Sequence, residues 1–254
     1  FVLRSDLPGI VPVPAAWKFD EPVARERHER EFTHQLKMLG AELNGQFHAM
    51  MREALEPFAV AGMGLFERGA DGAGYLCAEK GVARMECKRV TDHAGAAGCR
   101  PGLNIDGIRV LVVFETPAQM VAALAALGVR FDGCLRVKNG FGSDDAKAAA
   151  AFHLRVLMAN FVVPFGCTYG ELAQRPGVRE ARARYVEGSA PAGGAPRGRW
   201  RAAAAAAMAA LASDEFAAKP VVFIGEVQLV LRQTYEVRAR MHEVYKGYRA
   251  DSDK

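Results

Sequence analysis

Two polar residues interrupt an apolar stretch near the C-terminal end of the chain. Glu226 and Gln228 lie in the run VVFIGEVQLVL, residues 221–231, whose β-branched and aliphatic content predicts a strand. Side chains alternate along a strand, so both would share one face. A carboxylate among valines and isoleucine costs stability unless it is paired, hydrogen-bonded or bound to a cation. Glu226 is therefore a candidate functional residue.

Asp106 is a second carboxylate at the start of an apolar run, residues 105–115, which also predicts a strand. Asp106 and Glu226 could converge on one Mg²⁺, which takes a few hard oxygens together with substrate phosphates. In the alternative interpretation, Glu226 forms a buried ion pair with Arg109 and Asp106 only caps a turn. The spacing leaves both interpretations open.

Three cations precede this strand at helical spacing. The pattern predicts a helix over residues 76–90, in which Lys80, Arg84 and Lys88 stand at i, i+4 and i+8 and so line a single face. The alternative is a solvated helix face without a ligand, which is the commoner meaning of a charge run.

The remaining elements must position these residues. Four prolines make residues 1–22 an extended strap, and periodic Phe, Leu and Met predict a helix from residue 23 to residue 59. Thr116 and Pro117 fit the first positions of a helix. Further elements are expected in the rest of the chain: a helix over 118–127, a hairpin of 134–141 with 153–163, an insertion over 167–219 with a helix through its alanine run, and a helix over 234–249.

This order predicts an α+β fold, a mixed and mostly antiparallel sheet flanked by helices. We divide the chain into an N-terminal strap and helical arm, residues 1–75, and a second part, residues 76–254, that contains the insertion at about 167–219.

Composition narrows the class of protein. Half of the residues are hydrophobic, and 33 basic against 29 acidic residues give a net charge of +4, so charge alone does not imply nucleic-acid binding. Five cysteines without a C-x-x-C pair indicate a reducing compartment, the cytoplasm or the matrix of a mitochondrion or plastid. No apolar run approaches the roughly 20 residues of a membrane span. The start at Phe1 fits either a cleaved transit peptide or a trimmed chain.

Several stretches together resemble the RelA/SpoT synthetase-like family, which has a nucleotidyltransferase-type sheet. The resemblance covers residues 80–249 in pieces: the basic helix, IDGIRVLVVFETP, RVKNGF, and GEVQLVLRQTYEVRARMHEVYKGYR. The most specific piece is Glu226-Val227-Gln228 followed by Met241-His242. The resemblance implies transfer of pyrophosphate from ATP to a ribose hydroxyl, either of GDP or GTP in guanosine tetraphosphate metabolism or of an RNA end.

The resemblance also implies roles for individual residues. Asp106 and Glu226 would bind Mg²⁺, and Glu226 would also lie near the acceptor hydroxyl as a base. The ATP phosphates and the rim of the site would be contacted by basic residues, namely Lys80, Arg84, Lys88, Arg109, Lys138 and Arg155. Gln228 and His242 would support the site.

One departure from the family pattern concerns the acceptor. Relatives carry a Tyr-Arg-Asp or equivalent motif where this chain has Leu154-Arg155-Val156, so the tyrosine that stacks on the acceptor base is absent. Two hypotheses follow. The chain is either a divergent nucleotide pyrophosphotransferase with a changed acceptor, or a catalytically inactive subunit of a larger complex that binds protein partners through the strap and the Ala-rich insertion.

Overall fold

A four-stranded mixed sheet forms the centre of the protein. The computed structural model describes residues 11–58, 80–142, 144, 155–189, 197–235 and 237. The strands are β1 (Ile108–Phe114), β2 (Arg136–Asn139), β3 (Leu157–Thr168) and β4 (Pro220–Leu231), in the spatial order β1-β4-β3-β2. Strand β4 pairs parallel with β1 and antiparallel with β3, and β3 pairs antiparallel with β2. The expected α+β class with a mixed sheet is confirmed.

Seven α-helices lie within the described residues. Three are long enough to set the architecture: α1 (Pro22–Leu55), α3 (Pro117–Arg130) and α6 (Arg197–Leu211). None of the helices in the described ranges is both long and apolar enough to cross a membrane. The shorter helices are α2 (Val82–Val90), α4 (Tyr169–Ala173), α5 (Val178–Gly188) and α7 (Asp214–Ala217).

Helix α1 covers one face of the sheet. Its apolar side chains recur every three or four residues from Phe32 to Leu55, and they are buried against alternate residues of β1, β3 and β4. Phe47 packs so closely on β4 that a Cβ atom at Gly225 would overlap its ring. Pro22 begins the helix, where its missing N–H would have had no partner. The predicted helix is confirmed, but it ends at Leu55 in a 3₁₀ turn, Glu56–Phe58.

A buried ion cluster joins α1 to the elements beside it. The carboxylate of Glu29 is fully buried and contacts Arg25 at 3.1 Å, Arg89 of α2 at 3.2 Å and Arg100 at 2.5 Å. Burial raises the pKa of Glu29, but hydrogen bonds from Arg100 and Arg25 outweigh burial and hold the pKa below its ordinary value. One carboxylate thereby fixes α2 and the 3₁₀ turn Arg100–Leu103 against α1.

The predicted start of α3 is confirmed in detail. The Thr116 hydroxyl accepts the backbone N–H of Gln119, the Gln119 side chain accepts the backbone N–H of Thr116, and Pro117 begins the helix. These three residues satisfy the first turn locally, so the helix start could be placed without knowing the rest of the fold.

Several predicted boundaries were wrong. Residues 105–107 form a turn instead of belonging to β1. The strand expected at 153–163 runs from Leu157 to Thr168, although its antiparallel pairing with β2 is confirmed. The helix expected at 234–249 begins with residues 232–235 and 237, and its remainder lies outside the described residues.

The insertion contains α4 to α7. Its alanine run is helical as predicted. Ala204, Ala207 and Leu211 of α6 are buried, and α6 packs along α1. The small alanine side chains allow this close approach between helices.

The strap is not helical, as predicted, but it is not extended throughout, because the backbone N–H of Trp17 donates to the carbonyl of Pro14 and closes a turn. Residues 11–21 contain neither helix nor strand, and residues 1–10 lie outside the described part. Val11 is buried, the Gln35 side chain donates to the carbonyl of Pro12 at 2.8 Å, and Trp17 stacks on His28. This part of the strap therefore packs on α1 of its own chain.

Candidate functional site

A band of polar side chains crosses the face of the sheet that is turned away from α1. Arg109, Glu226, Asn160 and Arg136 are paired in register and form one row across all four strands, β1 to β2. Paired residues share a face, so the four side chains lie side by side. The next row of the same face carries Leu111, Gln228, Met158 and Lys138.

Apolar residues close this band at both ends. Ile224 packs with Ile105 and Leu135 on one side, and Val230 packs with Leu111, Val113 and Val156 on the other. The polar residues are therefore confined to the middle of the face. The two rows hold three cations, Arg109, Arg136 and Lys138, and one carboxylate, Glu226, so the band is net positive.

Glu226 is held in a defined position. It is 8 % exposed, and the Gln228 amide donates to its Oε1 at 2.7 Å. Asn160, 2 % exposed, donates to the carbonyl of Ile105 at 2.9 Å, which fixes the neighbouring side chain. The predicted common face of Glu226 and Gln228 is confirmed.

Asp106 lies in a second group, at the turn before β1. Its Oδ2 accepts from the ammonium groups of Lys80 and Lys88, the latter at 3.1 Å. Burial raises the pKa of Asp106, but the two lysines outweigh burial and hold the pKa below its ordinary value. Burial lowers the pKa of Lys80 to about 8 in spite of Asp106. This group therefore joins two lysine side chains to one carboxylate.

The prediction that Lys80, Arg84 and Lys88 lie on one helix was wrong for Lys80. Helix α2 begins at Val82, Gly81 is extended, and the backbone N–H of Lys80 donates to the carbonyl of Gly107 at 3.2 Å. Lys80 therefore stands beside the start of β1 and reaches Asp106 from there. Arg84 and Lys88 are both on α2, and Arg84 contacts the sulfur of Cys87 at 3.6 Å.

The other predicted site residues are distributed around the band. Arg109 and Lys138 belong to it, and Arg155 donates to the carbonyl of Phe141 at 3.1 Å at the end of the β2 strand. His242 lies outside the described residues.

Three residues in or beside the polar band and the Asp106 group were not predicted from the sequence. Arg136 and Asn160 share the row of Glu226, and the alternation of the strand pair could have placed them there once the hairpin register was known. His93 lies beside Lys88, with a buried Nε2 that has no hydrogen-bond partner among the described residues, and burial and Lys88 lower its pKa. His93 follows a helix end, and nothing in its spacing marks it.

One oxygen of Asp106 is suited to binding a metal ion. The Oδ1 of Asp106 is buried and has no hydrogen-bond partner among the described residues, so this oxygen is available to a hard cation. In the described part of the chain no three His, Cys, Asp or Glu side chains converge on one point. Mg²⁺ is compatible with that, because it is often held by one or two carboxylates and completed by water and phosphate oxygens.

A comparison of the chain with family models, with curated proteins and with solved structures finds no match. The interpretation of the site therefore depends on its geometry and on the sequence motifs.

Proposed function

We propose that this chain is a divergent RelA/SpoT-like nucleotide pyrophosphotransferase that uses Mg–ATP as the donor. The observation that carries the proposal is the row Arg109, Glu226, Asn160 and Arg136 on the sheet face turned away from α1. Transfer of a phosphoryl-type group depends on positioning and on neutralising oxygens, and a net positive band around one fixed carboxylate offers both.

The roles of the residues follow from their surroundings. The Gln228 amide occupies Oε1 of Glu226 and orients the carboxylate, which leaves Oε2 to accept the proton of an acceptor hydroxyl. Arg109, Arg136 and Lys138 bind phosphate oxygens. Asp106 and Glu226 would hold Mg²⁺, which supplies charge neutralisation to the transferred group.

The second candidate is a catalytically inactive RelA/SpoT-like subunit of a larger complex, and one observation favours it. Lys80 and Lys88 already neutralise Asp106, so an ion must share this carboxylate with two ammonium groups. A domain that has stopped catalysing could keep such an ion group for stability alone.

Isothermal titration of ATP, with and without Mg²⁺, separates the two candidates. We expect the wild type to bind ATP in a Mg²⁺-dependent manner, and the double variant Asp106→Asn with Glu226→Gln to lose this dependence. The matched control removes two exposed carboxylates elsewhere, Glu53→Gln with Asp132→Asn, and should bind as the wild type does.

Each contrary result has a definite meaning. Wild type without ATP binding at millimolar concentration would leave the inactive subunit as the explanation. If Asp106→Asn alone tightens ATP binding in the absence of Mg²⁺, the two lysines form a simple anion site and Asp106 is not a metal ligand. If ATP binds in the expected manner, GDP, GTP and short RNA should be screened as acceptors by following radiolabel from the β-position of ATP.

A further inference from the structure

The formal charge of the chain is concentrated in one helical hairpin. Residues 178–211, which include α5 and α6, contain six arginines and two glutamates, a net charge of +4. The whole chain has 33 basic and 29 acidic residues, also +4, so the other residues sum to zero. The balanced remainder makes this hairpin the main source of net positive charge.

Five of the six arginines are exposed. Arg182 is buried and pairs with Glu42 of α1, with N–O distances of 2.5 and 2.7 Å. None of the other five forms an ion pair within 4 Å with a described residue, although Arg199 is close enough to Glu26 to lower the pKa of that carboxyl slightly. The five exposed arginines are Arg179, Arg184, Arg197, Arg199 and Arg201.

Contacts with α1 bring the arginines of both helices together. The His34 ring lies 5.8 Å from Tyr185 of α5 and 5.4 Å from Trp200 of α6, measured between ring centroids. Arg184 precedes Tyr185, and Arg199 and Arg201 flank Trp200. These three arginines therefore each lie one residue from a ring that contacts His34. We call Arg184, Arg197, Arg199 and Arg201 the arginine surface.

Buried contacts hold the two helices that carry the arginine surface against α1. The Tyr185 hydroxyl is hydrogen-bonded to Nδ1 of His34 at 2.8 Å, and His34 is 1 % exposed. Burial lowers the pKa of His34 to about 4, so the ring is neutral at pH 7. The buried pair of Arg182 with Glu42 anchors the same helix one turn earlier.

The stability of the hairpin does not explain these arginines. Arg197 and Arg199 lie in the first turn of α6, where the helix dipole favours acidic side chains, and no acidic residue is present there. All six basic residues are arginine, whose planar guanidinium binds phosphate through two hydrogen bonds. Repulsion among unpaired arginines costs stability, and a polyanionic ligand would relieve it.

We infer that the arginine surface binds the phosphodiester backbone of a nucleic acid. It forms a site separate from the polar band, because α5 and α6 pack on α1, which covers the opposite face of the sheet. An anionic membrane is a poorer fit, since interfacial helices present Trp, Phe or Leu beside their cations. Here the exposed apolar side chains of α6 are alanines, and Trp200 packs on His34.

Fluorescence anisotropy with a labelled single-stranded RNA of mixed sequence tests this inference, with a DNA duplex of the same sequence beside it. Four phosphate contacts predict that RNA affinity falls roughly 50-fold between 50 and 200 mM salt. The triple variant Arg184→Gln, Arg199→Gln, Arg201→Gln should bind more weakly and lose only about 3-fold over the same range, because about one contact remains.

The matched control removes three exposed cations elsewhere, Lys18→Gln, Arg52→Gln and Arg130→Gln. It should bind RNA as the wild type does, and ATP binding by the triple variant should be unchanged. The inference is overturned if the wild type does not bind either nucleic acid, or if both triple variants lose the same affinity. It is also overturned if the arginine substitutions weaken binding to phosphatidylserine-containing vesicles but not to RNA.

Discussion

Glu29 shows how much one buried carboxylate does in this protein. It is the shared partner of Arg25, Arg89 and Arg100. Glu29→Gln therefore removes the counter-charge of Arg25 and Arg100 and leaves Arg89 with Glu86 alone. We expect a loss of about 3–5 kcal/mol in the free energy of unfolding at pH 7, measured by urea denaturation. The control Glu26→Gln removes an exposed partner of Arg30 and should cost less than about 1 kcal/mol.

The pH dependence of the free energy of unfolding tests the same prediction in a second way. The folded-state pKa of Glu29 lies below its ordinary value of 4.5, so its contribution is complete above pH 4.5 and is lost as the pH falls through the lower, folded-state pKa. The difference between wild type and Glu29→Gln should therefore shrink in acid. A difference that stays constant from pH 7 to pH 3 would mean that lost packing, not lost charge, destabilises the variant.

At the scale of elements, the contact between α1 and β4 can be tested at one glycine. A Cβ atom at Gly225 would overlap the buried ring of Phe47, so Gly225→Ala must displace the helix or the strand. Overpacking of this kind costs about 1–3 kcal/mol, measured by urea denaturation. Gly128→Ala in α3 is the control: a Cβ atom there meets nothing within 4 Å, and the variant should be about 0.5–1 kcal/mol more stable. Equal effects at both positions would contradict the close approach.

Elements with local signals could be predicted from the sequence, and elements set by distant contacts could not. Thr116, Pro117 and Gln119 contain the complete start of α3, and the apolar, β-branched run of residues 221–231 predicts β4. Lys80 shows the limit. Its sequence spacing predicts a helix, but its backbone donates to Gly107 of another segment and the helix begins two residues later.

The same distinction applies to the candidate site. Glu226 and Gln228 were predicted because two polar residues in one strand reveal their common face. Arg136 and Asn160 became visible only with the register of the strand pairs that join them to Glu226. A site built across strands depends on pairing, which a single sequence does not specify.

At the scale of the whole molecule, α1 and the sheet share one apolar core. Phe32, Phe47 and Leu55 of α1 belong to the same cluster as Val110, Phe161 and Leu229 of the strands, and α6 adds Ala207 and Leu211. The division into residues 1–75 and 76–254 stays a prediction. If this core is cooperative, the two parts should unfold together.

The only two tryptophans of the chain test this cooperativity, because each reports on one part. Trp17 lies in the strap against His28, and Trp200 lies in α6 against His34. We expect Trp17→Phe and Trp200→Phe each to show a fluorescence midpoint in urea equal to its own midpoint by circular dichroism. That internal comparison controls for any loss of stability caused by the substitution. A Trp17 signal that disappears well before the helical signal would show instead that the strap unfolds separately from α1, and the division at residue 75 would then not be the boundary of a unit of stability.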